Sequence, residues 1–100
     1  MKYSHNYKKL EHDIYTTIRR YKKANVGDTI REDYPSGSHI AIVLAESRFS
    51  LNDLPLEVLL NDTDCKTFNQ VFNLFQSFYK KPIDFYKDKF YVYVLGRVRE

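Results

Sequence analysis

Short apolar runs separated by polar turns predict that the first half of the chain is mainly β-strand. Ile14–Arg19 is short and rich in β-branched residues, which is typical of a strand. Val26-Gly27-Asp28 is a turn signal, after which an extended pattern resumes over Thr29–Asp33. A second loop, Tyr34–Ser38, precedes the almost continuous apolar run His39–Glu46. We expect this run to form a strand that is buried on both faces.

Two helices are predicted after this strand. Asn52 or Asp53 is expected to cap a short helix that extends to about Leu60. Thr67, with Gln70 three residues later, has the spacing of a capping box, so a second helix should begin there. Apolar residues at helical spacing predict one wide stripe on this helix that faces the core: Phe68, Val71, Phe72, Phe75, Phe78 and Tyr79.

The C-terminal part predicts the end of this helix and a last strand. Lys80-Lys81-Pro82 places positive charge and a proline stop at the helix C-terminus. Phe90–Leu95 is typical of a strand, and Gly96 is a candidate for a β-bulge. At the other end of the chain, Tyr3–Asp13 is compatible with a strand that turns into a short helix.

The element order predicts an α+β fold in a single domain, residues 1–100. Several short strands indicate a small, closed or partly closed barrel with two helices inserted before the last strand. The single cysteine, Cys65, excludes an internal disulfide framework and a multi-cysteine zinc site, and no metal or cofactor is expected. Met1–Asn6 is polar, and no apolar run approaches the ~20 residues of a spanning helix. We therefore expect a cytoplasmic protein that does not enter the membrane.

Charge is distributed unevenly along the chain. The net charge is only +3, but residues 1–23 carry +5, residues 24–78 carry −5 and residues 79–100 carry +3. Such asymmetry favours an anionic partner. The alternative is that lysines merely cover the surface of a stable protein.

The first strand and the turn after it carry a resemblance to a known family. Thr16-Thr17-Ile18-Arg19, a basic spacer and Val26-Gly27-Asp28 resemble the Thr-x-Thr-Ile-Arg … Gly-Asp signature of ASCH domains, which are small PUA-like β-barrels. The resemblance extends over about residues 13–98 and includes the capped helix and the closing strand. It implies an RNA- or nucleotide-binding cleft beside the Thr/Arg strand.

One branch of this family, of about this length, consists of amidohydrolases that remove the acetyl group from N4-acetylcytidine. The resemblance implies that Thr17 would be the nucleophile and Asp64 the acid in such an enzyme. The lysine of that branch is replaced here by Ile14, which cannot take a proton from a hydroxyl. Lys8 or Lys9 could reach the site instead. Otherwise Thr17 is an ordinary strand residue, and Asp64 is a loop or helix-start residue stabilised by the helix dipole.

The basic segment 16–23 is the predicted nucleic-acid-binding region. By resemblance, Thr17 and Arg19 face the cleft, and the planar guanidinium of Arg19 is suited to hold a phosphate. Basic side chains on the rim would attract a polyanion, and Tyr21, like Tyr34 or Tyr79, could stack on a base. The predicted binding residues are Thr16, Thr17, Arg19, Arg20, Tyr21, Lys22 and Lys23.

Three functions remain open at this point. The first is an RNA- or nucleotide-binding module of the ASCH/PUA-like type. The second is an amidohydrolase or RNA-processing enzyme that uses Thr17 and Asp64 on a modified nucleoside or RNA. The third is a protein–protein adaptor that reuses the barrel.

Overall fold

The computed structural model describes residues 1–99 and has the predicted α+β organisation. Short 3₁₀ turns cover Lys8–Glu11 and Leu51–Asp53. Both helices lie between the third and the fourth strand, as predicted. The elements are β1 (Ile14–Arg19), β2 (Thr29–Tyr34), β3 (Gly37–Ser50), α1 (Leu56–Thr63), α2 (Phe68–Phe78) and β4 (Lys89–Arg97).

The four strands form one antiparallel sheet in the order β1–β4–β3–β2, curled into a half-barrel. The N-terminal segment pairs with the free edge of β2. The Tyr3 N–H donates to the Asp33 carbonyl, and the Asp33 N–H donates to the Met1 carbonyl, both at 2.8 Å. Arg19, at the end of β1, donates to the Lys2 carbonyl at 3.0 Å. Residues 1–3 therefore contact both edge strands. Of the strand and short helix predicted for Tyr3–Asp13, the helical turn at Lys8–Glu11 is confirmed, whereas the segment forms only an isolated bridge at Lys2 and no strand.

The two faces of the sheet carry two separate cores. Tyr15 of β1 and Tyr93 of β4 belong to the concave core, together with Tyr3 and Tyr7 from the N-terminal segment. The opposite face is covered by the helices; its buried side chains include Ile18, Leu51, Leu59, Val71, Phe75, Phe85 and Phe90. Because strand side chains alternate between faces, neighbouring residues of β1 contribute to different cores.

The prediction that His39–Glu46 is buried on both faces is wrong. Ile40 and Leu44 are exposed, because the helices do not extend over this half of the outer face. The β-bulge also lies in β3, between Val43 and Ala45, and not at Gly96. A Cβ atom at Gly96 would lie 3.0 Å from Leu44 Cδ1. Gly96 therefore leaves room for the bulged leucine on the neighbouring strand.

The helices depart from prediction at their ends. Pro55 precedes α1, and neither Asn52 nor Asp53 caps it, because Leu51–Asp53 forms a turn of its own. The Thr67 cap is confirmed by a 3.3 Å hydrogen bond from the Gln70 N–H to the Thr67 hydroxyl.

The apolar stripe of α2 is only partly core. Val71 and Phe75 are buried, whereas Phe68, Phe72 and Phe78 are exposed. Within residues 1–99, no helix combines the length and the apolarity needed to cross a bilayer.

Candidate functional site

A cavity of about 370 Å³ lies between the N-terminal segment, the end of β1 and the two helices. Its walls are largely aromatic, with Tyr3, Tyr7, Phe75, Phe78 and Tyr79 among the lining residues. Charged groups also line the cavity: Lys2, Lys9, Arg19 and Asp62. An apolar cavity with a few convergent polar groups is the usual form of a small-ligand site.

Arg19 lines both this cavity and a second one of about 330 Å³; of these two, the first is called the larger cavity and the second the smaller cavity. Its guanidinium lies over the Tyr3 ring, 4.9 Å from the centroid, and donates to the Lys2 carbonyl. No carboxylate among residues 1–99 pairs with it. Lys2 and Tyr79 also line both cavities. This arrangement leaves the Arg19 guanidinium without a carboxylate partner among residues 1–99.

Thr17 does not share the cavity with Arg19. The prediction that both face a common cleft is wrong, because Thr17 is fully buried, at 0% exposure, and lines neither cavity. Thr17 pairs with Tyr93 in the sheet, where the N-terminal segment crosses the concave face. Its hydroxyl has no hydrogen-bond partner within the described part of the chain.

A buried cluster of polar groups forms the inner end of the larger cavity. Lys9 Nζ lies 3.0 Å from Asp62 Oδ1, and the Thr16 hydroxyl donates to the same oxygen at 3.0 Å. The ammonium lies 5.2 Å from the centre of the Tyr3 ring and 5.5 Å from that of Tyr7. Burial lowers the pKa of Lys9, and the Asp62 carboxylate partly offsets this effect. The pair therefore holds a charged group against aromatic walls with little help from water.

Lys9 also lines a further cavity of about 410 Å³, and Thr16 lines this further cavity only. This cavity includes Lys8, His12 and Asp64. The cluster of Lys9, Asp62 and Thr16 thus separates two openings.

Asp64 lies outside the cluster. It ends α1 in the left-handed conformation, with φ of 57°, and its carboxylate accepts the Lys8 N–H at 2.8 Å. Asp64 precedes the capped helix α2 in the sequence, as predicted, but its side chain does not line the larger cavity. Its role in the fold is to join α1 to the N-terminal turn, whereas the acid that faces the larger cavity is Asp62.

The basic rim is smaller than predicted. Arg20 pairs with Asp88 at 3.2 Å, and Lys22 pairs with Glu46 at 3.2 Å, so neither cation is free. Lys23 and the 62% exposed Tyr21 line the smaller cavity beside Arg19. Segment 16–23 is therefore divided between structural pairs and groups open to a ligand.

A buried carboxylate fixes the tyrosine that supports Arg19. Glu32 is fully buried and accepts hydrogen bonds from Tyr3 at 2.7 Å and from Tyr15 at 2.9 Å. Burial, followed by the charge of Glu32, raises the pKa of both phenols. His39 Nε2 lies 2.7 Å from the Tyr15 oxygen, and burial lowers the pKa of this imidazole. Because the Tyr15 proton is directed at Glu32, the neutral imidazole donates to Tyr15.

Sequence reasoning named Arg19 as a candidate but missed most of the groups that surround it. Lys9 and Asp62 are 53 positions apart, and no local motif links them. The aromatic walls come from the N-terminal segment and the end of α2, which meet only in the folded chain. Among residues 1–99, no cluster of three or more His, Cys, Asp or Glu side chains is suited to hold a metal ion.

Comparisons with known proteins give one informative similarity. Over 72 residues the chain is 35% identical to an uncharacterized protein of Methanocaldococcus jannaschii. The alignment covers 67% of this chain and 63% of that protein, so the chain spans less than two thirds of its relative. No family model matches the chain, and no solved structure matches it.

Proposed function

We propose that the protein is an RNA- or nucleotide-binding module of the ASCH, PUA-like type. The phosphate would lie against Arg19, with Lys2 and Lys23 beside it. The base would enter the larger cavity between its aromatic walls. The observation that carries this proposal is the position of the Arg19 guanidinium, between two cavities and without a carboxylate partner in residues 1–99.

The chemistry around Arg19 supports an anionic ligand. An arginine fork binds phosphate with two parallel hydrogen bonds, and Lys2 and Lys23 add positive charge at the same opening. Stacking on Tyr3 restricts the guanidinium before a ligand arrives. Preorganisation of this kind lowers the entropy cost of binding.

The aromatic walls support a planar ligand. Tyr7, Phe78 and Tyr79 line the cavity, and bases stack on such rings. Asp62 Oδ1 is already occupied by Lys9 and Thr16, which leaves Oδ2 as an acceptor at the inner end. A ligand with a phosphate at one end and a hydrogen-bonding ring at the other matches the order of these groups, from Arg19 through the aromatic walls to Asp62.

The test compares two arginines that both stack on tyrosines. Arg19→Gln should weaken binding of nucleoside 5′-monophosphates about tenfold or more, since a charged hydrogen bond contributes about 1.5–3 kcal/mol. The matched control is Arg48→Gln, because Arg48 lies 5.0 Å from the Tyr91 ring centroid and lines neither cavity. Isothermal titration calorimetry with all four ribonucleotides measures both variants. Equal affinity in the two variants would overturn the proposal.

A second candidate is an amidohydrolase, and the cluster of Lys9, Asp62 and Thr16 favours it. The Thr16 hydroxyl, and not that of Thr17, is hydrogen-bonded to a carboxylate that can take its proton. Asp62 would take the Thr16 proton as the hydroxyl oxygen attacks the acyl carbon, and would pass that proton to the leaving nitrogen as the C–N bond breaks and a threonine ester forms. Water would then hydrolyse this ester, which releases the carboxylic acid and restores the Thr16 hydroxyl. Lys9 is the nearest cation to this carboxylate and would stabilise developing negative charge.

Acetate release from N4-acetylcytidine tests this second function. Thr16→Val should abolish release, while Thr17→Val should retain it, because only Thr16 lies beside Asp62. If the unmodified protein releases no acetate, this candidate is discarded. Loss of release in Thr17→Val alone would contradict the assignment of Thr16.

A further inference from the structure

We propose that the ligand is a single-stranded RNA segment, which continues from the Arg19 cavity over the loop between α2 and β4. This proposal rests on the proposed function and extends it to a polymer. The surface concerned is called the loop surface and consists of Phe78, Lys80, Lys81, Tyr86 and Lys87.

The loop surface adjoins both cavities. Phe78 and Tyr79, at the end of α2, line the larger cavity, and Lys80 follows directly. On the other side, Arg20 of the smaller cavity pairs with Asp88 of the loop at 3.2 Å. The loop therefore begins at residues that line the larger cavity and ends beside Arg20 of the smaller cavity.

The side-chain amide of Gln76 holds the first part of the loop in place. Gln76 Nε2 donates to the Lys81 carbonyl at 3.0 Å, and Gln76 Oε1 accepts the Ile83 N–H at 2.9 Å. Because both ends of the amide are used, the backbone that carries Lys80 and Lys81 is fixed. The lysine side chains project from a defined turn.

The carboxylates of the loop are engaged within the loop, but its lysines are not paired. Asp84 Oδ1 accepts the N–H groups of Tyr86 and Lys87, while Asp88 Oδ2 accepts the Asp84 N–H and holds Arg20. In the described chain, no carboxylate pairs with Lys80, Lys81 or Lys87. These cations are therefore available to phosphates.

Exposed rings lie among these lysines. Tyr86 is 74% exposed and Phe78 is 43% exposed, whereas aromatic side chains of this size are usually buried. Rings interleaved with free lysines fit a single strand, in which bases stack and phosphates follow at each step. An acidic protein segment could also bind the lysines, but it would not explain why the loop surface adjoins the Arg19 cavity.

The test measures how affinity depends on ligand length. The probes are the four nucleoside 5′-monophosphates and a labelled ten-nucleotide RNA of mixed sequence without self-complementarity. We expect the RNA to bind at least tenfold more tightly than the best monophosphate. The double variant Lys80→Gln/Lys81→Gln should remove most of this advantage and lower the salt slope by about 1.4, at about 0.7 per phosphate contact. Monophosphate affinity should stay the same.

The control variant removes the same charge elsewhere. Arg48→Gln/Lys66→Gln takes two exposed cations from outside the loop surface and should leave the RNA affinity and the salt slope close to those of the unmodified protein. Tyr86→Ser tests stacking without a change of charge and should weaken RNA binding roughly fivefold or more.

Three results would overturn the proposal in different ways. Equal affinity for RNA and monophosphate would show that the ligand is a free nucleotide, with the proposed function intact. Competition by a ten-residue polyglutamate as effective as that by RNA would show an acidic protein partner at this surface. No binding of RNA or of any monophosphate would overturn the proposed function as well.

Discussion

At the scale of single residues, Arg19 and Thr17 show how far alternation along a strand predicts a site. Both side chains point to the concave side of β1, as a period of two requires. Their surroundings differ because the N-terminal segment covers the sheet at Thr17, whereas Arg19 lies at the strand end. The side of the sheet on which a residue lies can be predicted from the alternation along the strand, but the N-terminal segment that covers Thr17 reaches it only by tertiary contact.

Thr17→Val tests the revised role of the threonine. Valine has nearly the same shape as threonine, and the buried Thr17 hydroxyl forms no hydrogen bond with another group of residues 1–99. We therefore expect the free energy of unfolding to rise by about 1 kcal/mol and nucleotide affinity to stay the same. Chemical denaturation and calorimetry measure the two quantities. A loss of binding would restore Thr17 to the site.

The buried pair of Lys9 and Asp62 should be sensitive to single substitutions. Asp62→Leu leaves an ammonium buried without its partner, and we expect a loss of about 3 kcal/mol in unfolding free energy. The double variant Lys9→Met/Asp62→Leu removes both charges and should recover much of that loss. Urea denaturation of the single and double variants gives the coupling energy. A double variant that is less stable than Asp62→Leu would be inconsistent with this explanation.

At the scale of elements, segments with strong local signals were predicted well. Ile14–Arg19 has the predicted bounds, and the Thr67 cap begins α2 as its sequence indicates. Predictions failed where a neighbouring element decides burial. The apolar run of β3 resembles a strand buried on both faces, but the helices do not cover Ile40 and Leu44. No local pattern specifies how far a helix reaches across a sheet.

The bulge in β3 and the glycine in β4 should be energetically coupled. Gly96→Ala should cost about 1 kcal/mol, because the new methyl group meets Leu44 Cδ1 at 3.0 Å. Leu44 is exposed, so Leu44→Ala should relieve most of this cost. A double-mutant cycle by thermal denaturation measures the coupling. Additive effects would show that the leucine moves away freely.

At the scale of the whole molecule, the N-terminal segment joins the half-barrel to the ligand cavity. It pairs with β2, supports Arg19 through Tyr3 and Lys2, and carries Lys9 to Asp62. The Glu32 carboxylate binds Tyr3 to Tyr15 across the concave core. Disturbance of this core should therefore affect both stability and the ligand site.

Alkaline pH provides such a disturbance. The folded-state pKa values of Tyr3 and Tyr15 are raised by burial and by Glu32, whereas the unfolded phenols ionise near their usual value of about 10. Above that pH the unfolded chain loses protons that the folded chain keeps, so stability falls as pH rises. Each phenol contributes about 1.4 kcal/mol per pH unit. Denaturation midpoints should fall steeply above about pH 10, and Tyr15→Phe should reduce this slope. An unchanged slope would exclude Tyr15 as a source.

The most direct test of the account is an NMR titration of the ¹⁵N-labelled protein with nucleoside 5′-monophosphates. We predict saturable shifts at the backbone amides of Lys2, Arg19 and Tyr79 and at the Arg19 Nε–H, because these groups surround the shared opening of the two cavities. Ile40 and Leu44 of β3, which are exposed and line neither cavity, should not respond. Shifts confined to these residues, or no shifts at millimolar nucleotide, would contradict a nucleotide site at Arg19.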